Sequence, residues 1–214
     1  VSLAFESALL TNNSLLELLP PSALDGGLLQ PAVFVGELRD ALDWVGVRYS
    51  GRYTVVSGNS LVFRATRDHA DDGAELVPRP LYTALTSMHR RFATDRRSAI
   101  RHYVVTNGGI DDGVDLLRPP FLIEHLLAVA AARAEGVPVA GFMHRGLSDA
   151  PNAAFGECAK GGLIGIDRGP RANLTRTLRG SYMLWRELAR ARSITAAQRR
   201  AAWQPLQAAA RARS

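Results

Sequence analysis

The sequence predicts an α/β fold built on a parallel sheet, and three features support this prediction. Three apolar segments have the length of strands, helical patterns stand between them, and the two kinds of segment alternate along the chain. This alternation is the repeating unit of parallel α/β proteins, whose helices cover the sheet. With 214 residues, 47% of them hydrophobic, the chain can bury a sizeable core and is interpreted as one globular domain, 1–214.

The predicted strands are residues 42–49, 102–105 and 137–144. Each is rich in Val, Phe or Met and lacks a clean alternation of apolar and polar residues. Continuous apolar runs of this kind are typical of strands that are buried on both faces. We therefore expect all three in the interior of a parallel sheet.

Four helices are predicted from apolar residues that recur every three to four positions. They cover residues 80–92, 119–135, 181–191 and a final stretch from Thr195, with Ser193 or Thr195 as N-cap. Gly136 is expected to end the second helix. Residues 1–40 are expected to form a helical lead-in, 41–192 the βα units, and 193–214 a basic C-terminal helix. Residues 57–73 are polar and are expected to form a loop.

The positive charge of the chain is concentrated at its C-terminal end. The formal net charge is +6, but residues 168–214 contain eleven arginines and a single acid, Glu187, which gives +10 and leaves −4 for the rest. Most such runs are solvated helix faces. Docking on an acidic protein surface is the second interpretation, and nucleic-acid binding the third, because only Trp185 and Trp203 offer stacking surfaces.

Six segments carry short motifs in a fixed order. The most informative is HYVVTNGG at residues 102–109, and the others are ALDWVGVRYSGRY, GAELVPRPLY, RPPFLIEHL, GVPVAGFMH and GLIGID, beginning at residues 41, 73, 118, 136 and 162. Together they resemble glycoside hydrolase family 1, the β-glucosidase family, over about residues 40–190. The resemblance implies the C-terminal half of a (β/α)8 barrel, the last three or so βα units, here followed by an extra basic helix.

The resemblance also implies that the catalytic site has degenerated. The family's nucleophile is the Glu that precedes Asn-Gly, and that position is Thr106 here, so no catalytic residue is assigned. Threonine offers no charge to an oxocarbenium-like transition state. The family's acid/base Asn-Glu-Pro motif is absent from this sequence, and Gly161 stands where the family has an aromatic residue near the substrate entrance. The vestigial sugar-site positions are Tyr49, Asn107, His144, Arg145, Asn152 and Ala153.

Other chemically interesting side chains have simpler interpretations. Asp111, Asp112 and Asp115 precede a helix, where carboxylates cap N–H groups, so capping is expected in preference to metal binding. His125 lies in an apolar helix and is expected to be a packed core residue. Asp149 and Glu157 are the nearest loop carboxylates but lie outside the family's catalytic positions. Neither a metal site nor a cofactor is predicted, since the sequence has no phosphate-binding Gly-rich loop and no His/Cys ligand spacing.

The resulting hypothesis is a catalytically inactive β-glucosidase-like protein that is a structural or partner-binding subunit. Three βα units leave open sheet edges, so we expect another chain, such as one carrying the N-terminal barrel half, to cover them. The alternative is part of an active β-glycosidase or glycosyl transferase whose acid/base Glu comes from a second chain. No membrane span is predicted. An intracellular location, in the cytoplasm or an organelle, is favoured over secretion, since there is one cysteine, Cys158, and no recognisable secretion signal.

Overall fold

The structure is a computed structural model that describes residues 2–6, 9–12, 38–49, 52–56, 60–62, 68–71, 75–151, 156, 160–169 and 173–212. These residues form nine strands and four helices. The strands are β1 (Ser2–Glu6), β2 (Leu9–Asn12), β3 (Trp44–Arg48), β4 (Arg52–Val56), β5 (Ser60–Val62), β6 (His102–Gly108), β7 (Val139–His144), β8 (Ile164–Ile166) and β9 (Arg176–Leu178). The helices are α1 (Arg79–Ala93), α2 (Arg118–Ala134), α3 (Gly180–Ala191) and α4 (Ala196–Arg211).

The main sheet has four parallel strands in the order β1-β3-β6-β7. Helix α1 connects β3 to β6, and α2 connects β6 to β7. Because every strand runs the same way, the carboxyl ends of all four meet at one edge, which includes Arg48, Thr106 and His144. The α/β fold with successive βα units is therefore confirmed.

The core lies between the main sheet and helices α1 and α2. Val45 and Val47 of β3 form one buried cluster with Tyr103 and Val105 of β6 and with helix residues that include Leu85. Side chains alternate between the two faces of a strand, so Trp44, Arg48 and Thr106 belong to the opposite face. There Trp44 stacks on His102 with 6.4 Å between ring centroids.

Helices α3 and α4 pack against the outer side of α2. Leu188 of α3, Ala202 of α4 and Ile123 of α2 share a buried cluster. Glu124 of α2 accepts hydrogen bonds from Arg199 (2.6 and 2.9 Å) and from the indole N–H of Trp203 (2.9 Å). Thr195 is the N-cap of α4, as one of the two expected candidates, and forms a capping box with Gln198.

Two of the sequence-based expectations are wrong. Within the expected helical lead-in of residues 1–40, residues 2–6 and 9–12 are strands, because β1 pairs with β3 and β2 with β4. Sheet neighbours supplied by distant residues override the local helical preference. Within the expected loop of residues 57–73, β5 pairs antiparallel with β4. The other predicted strands and helices are present with ends shifted by at most three residues.

Candidate functional site

Thr106 lies near the carboxyl end of β6, on the sheet face opposite the helices. Its neighbour on β3 is Arg48, and both side chains are half-buried. Val105, on the other face, is fully buried in the core. Asn107 also lies within β6, but its side chain is outside what the structure describes. The edge where a barrel enzyme holds its catalytic groups thus presents a hydroxyl at Thr106.

His144 is the last residue of β7 and is held as a neutral imidazole. Its Nδ1 lies 3.2 Å from the carbonyl oxygen of Gly146, and its ring centroid lies 5.9 Å from that of Trp185. The pKa of His144 is lowered to about 4, chiefly by burial and also by the positive charges of Arg118 and Arg145, which together outweigh the hydrogen bond to Gly146. At neutral pH this side chain therefore carries no charge.

Arg145 follows β7 directly and forms an ion pair with Asp111 in the loop after β6. Asp111 is almost fully buried, whereas the Arg145 side chain is about a quarter exposed. Asp111 was expected to cap a helix, and this expectation is wrong. The Asp111 carboxylate instead forms a long-range ion pair with Arg145.

Asp112 and Asp115 organise the start of two helices. One oxygen of Asp112 accepts hydrogen bonds from the N–H groups of Leu117 and Arg118, both at 2.8 Å, which confirms the expected capping. Asp115 pairs with the guanidinium of Arg118 and accepts the N–H of Ser181 at 2.8 Å. Arg118 is fully buried and also donates to the carbonyl oxygen of Lys160 at 2.5 Å. These bonds join α2, α3 and the segment before β8.

Asp149, in the loop after β7, forms a two-bond ion pair with Arg179. Both distances between Arg179 nitrogens and Asp149 oxygens are 2.8 Å, and the N–H groups of Gly162 and Ile166 also donate to this carboxylate. Burial opposes ionisation of Asp149, but the hydrogen bonds and charge of Arg179 outweigh it, so the pKa is lowered. Sequence analysis did not predict this pairing, since the two residues lie 30 positions apart.

Tyr49 and His125 lie on the other face of the sheet, in the core. The hydroxyl of Tyr49 donates to the carbonyl oxygen of Val77 at 2.6 Å, and its ring lies 5.5 Å from that of His125. His125 is fully buried with Nδ1 2.8 Å from the carbonyl oxygen of Phe121, so its expected packing role is confirmed. Burial lowers its pKa to about 4. The structure therefore does not bring Tyr49 together with Thr106 and His144.

Several expected positions fall outside the described residues, namely Asn152, Ala153, Glu157 and Cys158. Within the described ranges, no group of three His, Cys, Asp or Glu side chains could hold a metal ion. The helices in those ranges are also too short or too polar to cross a membrane.

Comparison with known proteins agrees with this geometry. No protein-family model matches the chain. It is 35% identical over 179 residues to the chloroplastic galactolipid galactosyltransferase SFR2 of Arabidopsis thaliana, an alignment that covers 84% of this chain and 28% of that protein. It is 32% identical to a β-galactosidase of Sulfolobus acidocaldarius, over 74% of this chain and 33% of the relative.

The fold also matches solved structures. A β-glucosidase from Pyrococcus furiosus superposes with a TM-score of 0.76 at 26% identity, and the match covers 94% of this chain and 43% of that one. The chain therefore spans about a third or less of these curated relatives and under half of a complete (β/α)8 barrel. With its βα order and its relatives both in agreement, the chain belongs to glycoside hydrolase family 1, the β-glucosidase family, as a partial barrel.

Proposed function

We propose that the protein is a non-catalytic member of this family that acts as a structural or partner-binding subunit of a larger assembly. The observation that carries the proposal is that the described aspartates of the loops after β6 and β7 are all bonded to other groups. Retaining hydrolysis requires two carboxyl groups about 5 Å apart, one of them free to attack the anomeric carbon. Thr106 has no carboxylate, so another acid would have to take its place.

The four described aspartates of the loops after β6 and β7 are engaged elsewhere. Asp111 is paired with Arg145 and Asp149 with Arg179, while Asp112 caps α2. Asp115 pairs with Arg118 and binds the first turn of α3. A carboxylate whose oxygens are bonded to an arginine or to backbone N–H groups is fixed in position and not free to attack, so it is a poor nucleophile. This supports loss of the hydrolytic chemistry.

The conclusion does not depend on how the family motif is aligned. Placing the motif on its Asn-Gly pair puts Thr106 at the nucleophile position. Placing it on its threonine puts Asn107 there instead. Neither amino acid carries a carboxylate.

Exposed apolar side chains on β7 and just after its end support the partner-binding part of the proposal. In the part of the chain that the structure describes, β7 pairs with β6 on one side only. Met143 is 57% exposed and Leu147 is 64% exposed. A parallel strand added at this edge would satisfy the backbone groups of β7 and cover these side chains. We infer that another chain, carrying the N-terminal barrel half, supplies that strand.

The second candidate is an active β-glycosidase or glycosyl transferase in which this chain is one part. It is favoured by the relatives, which are named as a galactosyltransferase and β-galactosidases. In this candidate the second chain would supply the acid/base Glu and a replacement for the missing nucleophile.

The SFR2 relative is named as chloroplastic, which agrees with the proposed location inside the cell, in the cytoplasm or an organelle.

Turnover of 2,4-dinitrophenyl β-D-glucoside by protein purified from its source, with and without azide, separates the two candidates. This leaving group needs no general acid, and azide can attack the anomeric carbon in place of a missing carboxylate, giving a glycosyl azide and dinitrophenolate. We expect no turnover above the buffer blank in either condition, and none in Thr106→Glu or Asn107→Glu. Turnover with or without azide would overturn the proposal and favour the active composite enzyme.

A further inference from the structure

Arg145, Asp111 and Gly161 meet at the carboxyl edge of the main sheet. Arg145 leaves the end of β7, Asp111 lies in the loop after β6, and Gly161 lies shortly before β8. A backbone hydrogen bond of 3.2 Å from Asp112 to Lys160 holds the last two segments side by side. The Arg145–Asp111 ion pair lies directly against Gly161.

Gly161 has no room for any side chain while this ion pair is formed. A Cβ atom at position 161 would lie 2.7 Å from Nη2 of Arg145 and 2.7 Å from Oδ1 of Asp111. Carbon atoms do not approach polar atoms so closely in packed proteins. The backbone conformation at position 161 does not require glycine, because Gly161 does not have the positive φ angle that Gly136, Gly146 and Gly156 adopt. Space, and not backbone conformation, requires glycine at position 161.

Gly109 forms a second wall of the same space. A Cβ there would lie 3.0 Å from Cβ of Arg145 and 3.4 Å from Nε2 of His144. Arg145 is thus enclosed between two glycines beside the end of β6. Oδ2 of Asp111 is buried with no hydrogen-bond partner among the described residues, so Arg145 supplies the charge that compensates this carboxylate.

We propose that the Arg145–Asp111 ion pair is a plug that excludes a sugar ring from the vestigial site. The inference rests on the proposed function, because the family resemblance puts a sugar-contacting Trp at position 145 and an aromatic side chain at position 161. The two replacements are sterically coupled. An aromatic side chain at position 161 would overlap the guanidinium of Arg145, and the present position of Arg145 is open only because residue 161 is glycine. Arg145 is thereby the residue that decides whether a ligand can enter.

The steric coupling is tested by the melting temperatures of four proteins and one control variant. Gly161→Ala in the natural background should lower the melting temperature by roughly 3–10 °C, as overpacking does. In an Arg145→Ala/Asp111→Ala background, which removes both obstacles without leaving an unpaired buried charge, the same change should shift it by less than about 2 °C. Gly113→Ala is the matched control, since its Cβ would make only ordinary contacts of 3.5 Å. Equal shifts in both backgrounds would overturn the coupling.

Exclusion of the sugar is tested by saturation-transfer NMR with phenyl β-D-glucoside. We expect no transfer to the ring protons of the probe with the natural protein or with Arg176→Ala, an exposed arginine control on β9. We expect clear transfer with Arg145→Ala/Asp111→Ala. Transfer with the natural protein, or none with the double variant, would overturn the plug. Hydrolysis of the probe by the natural protein would overturn the proposed function, whereas the melting-temperature result does not depend on activity.

Discussion

The Asp149–Arg179 ion pair is the residue-level interaction that most firmly fixes the loop after β7. Asp149 is 3% exposed and accepts bonds from two arginine nitrogens and two backbone N–H groups. Replacing Asp149 by Asn keeps the shape but leaves Arg179 without its counter-charge. Breaking a buried pair in this way costs about 3–5 kcal/mol, so urea unfolding of Asp149→Asn should show a loss of that order.

Urea unfolding of a control variant, and of the natural protein at low pH, checks this explanation. Asp167→Asn, at an exposed carboxylate in the neighbouring β8–β9 segment, is the control and should change the unfolding free energy by less than about 0.5 kcal/mol. Because the pKa of Asp149 is lowered in the folded protein, its contribution is complete above the ordinary carboxyl pKa of 3.8 and is lost as the pH falls below it. A loss in Asp149→Asn no larger than in the control would refute the role of the pair.

His125 and His144 are expected to make the unfolding free energy depend on pH between about 4 and 6.5, above the range in which Asp149 acts. Burial lowers the pKa of each to about 4 from an ordinary value of 6.5. Between these values the unfolded chain binds more protons than the folded one. The unfolding free energy should therefore fall on acidification from pH 6.5 to 4, by up to about 1.4 kcal/mol per pH unit for each histidine.

The measurement for the histidines is urea unfolding at several pH values, on the natural protein and on His144→Gln. Glutamine keeps a polar side chain but cannot take up the proton. The slope of stability against pH should be smaller in His144→Gln than in the natural protein. An unchanged slope would mean that His144 titrates alike in both states.

For single residues, the sequence indicated where a side chain lies in the fold better than which side chain it pairs with. The motifs place Thr106, His144 and Arg145 near the carboxyl ends of two strands, and the structure has them there. The ion pairs of Asp111 and Asp149 were not predicted, since each joins residues about 30 positions apart whose meeting depends on the packing of loops. Tyr49 was assigned to the sugar side, but the alternation of side chains along β3 turns it into the core.

Among the secondary-structure elements, α4 allows the contribution of an N-terminal capping box to stability to be measured. Thr195 accepts the N–H of Gln198 at 3.1 Å, and Gln198 accepts the N–H of Thr195 at 2.9 Å. Thr195→Ala removes this cap and should cost about 1 kcal/mol, with faster amide exchange in the first turn of α4. Thr195→Ser keeps the hydroxyl and should match the natural protein. Equal exchange in all three proteins would contradict the capping role.

The elements that the sequence predicted best are those whose signal is local. Helices α1 and α2 begin at prolines in their first turn, and Gly136, with φ of 91°, follows the end of α2. The buried strands β3, β6 and β7 were recognised by their apolar runs. The sequence did not predict β1, β2, β4, β5, β8 and β9. Of these, β1 and β2 pair with strands about 40 residues away, which leaves a weak signal in the segment itself, and β5 and β9 are short partners in antiparallel pairs.

For the whole molecule, the concentration of arginines in residues 168–214 raises the question of whether the protein binds nucleic acid. Both tryptophans in this region are half-buried and make contacts within the protein, Trp185 with Phe142 and His144 and Trp203 with Glu124. Because these contacts cover part of each ring, little stacking surface is left beside the exposed arginines, whose contacts to phosphates alone are weak. Fluorescence anisotropy with a mixed-sequence duplex should show no binding at physiological salt. Binding whose logarithm falls steeply with the logarithm of salt concentration would restore the nucleic-acid interpretation.

The most direct test of the account is native mass spectrometry of the protein, purified gently from its source. The chain has a mass of 23.2 kDa and spans under half of a barrel. In the residues that the structure describes, β1 and β7 are the edges of the main sheet. We predict a stable complex of this polypeptide with a second one that carries the remaining βα units. A species whose mass is accounted for by one polypeptide alone would contradict it.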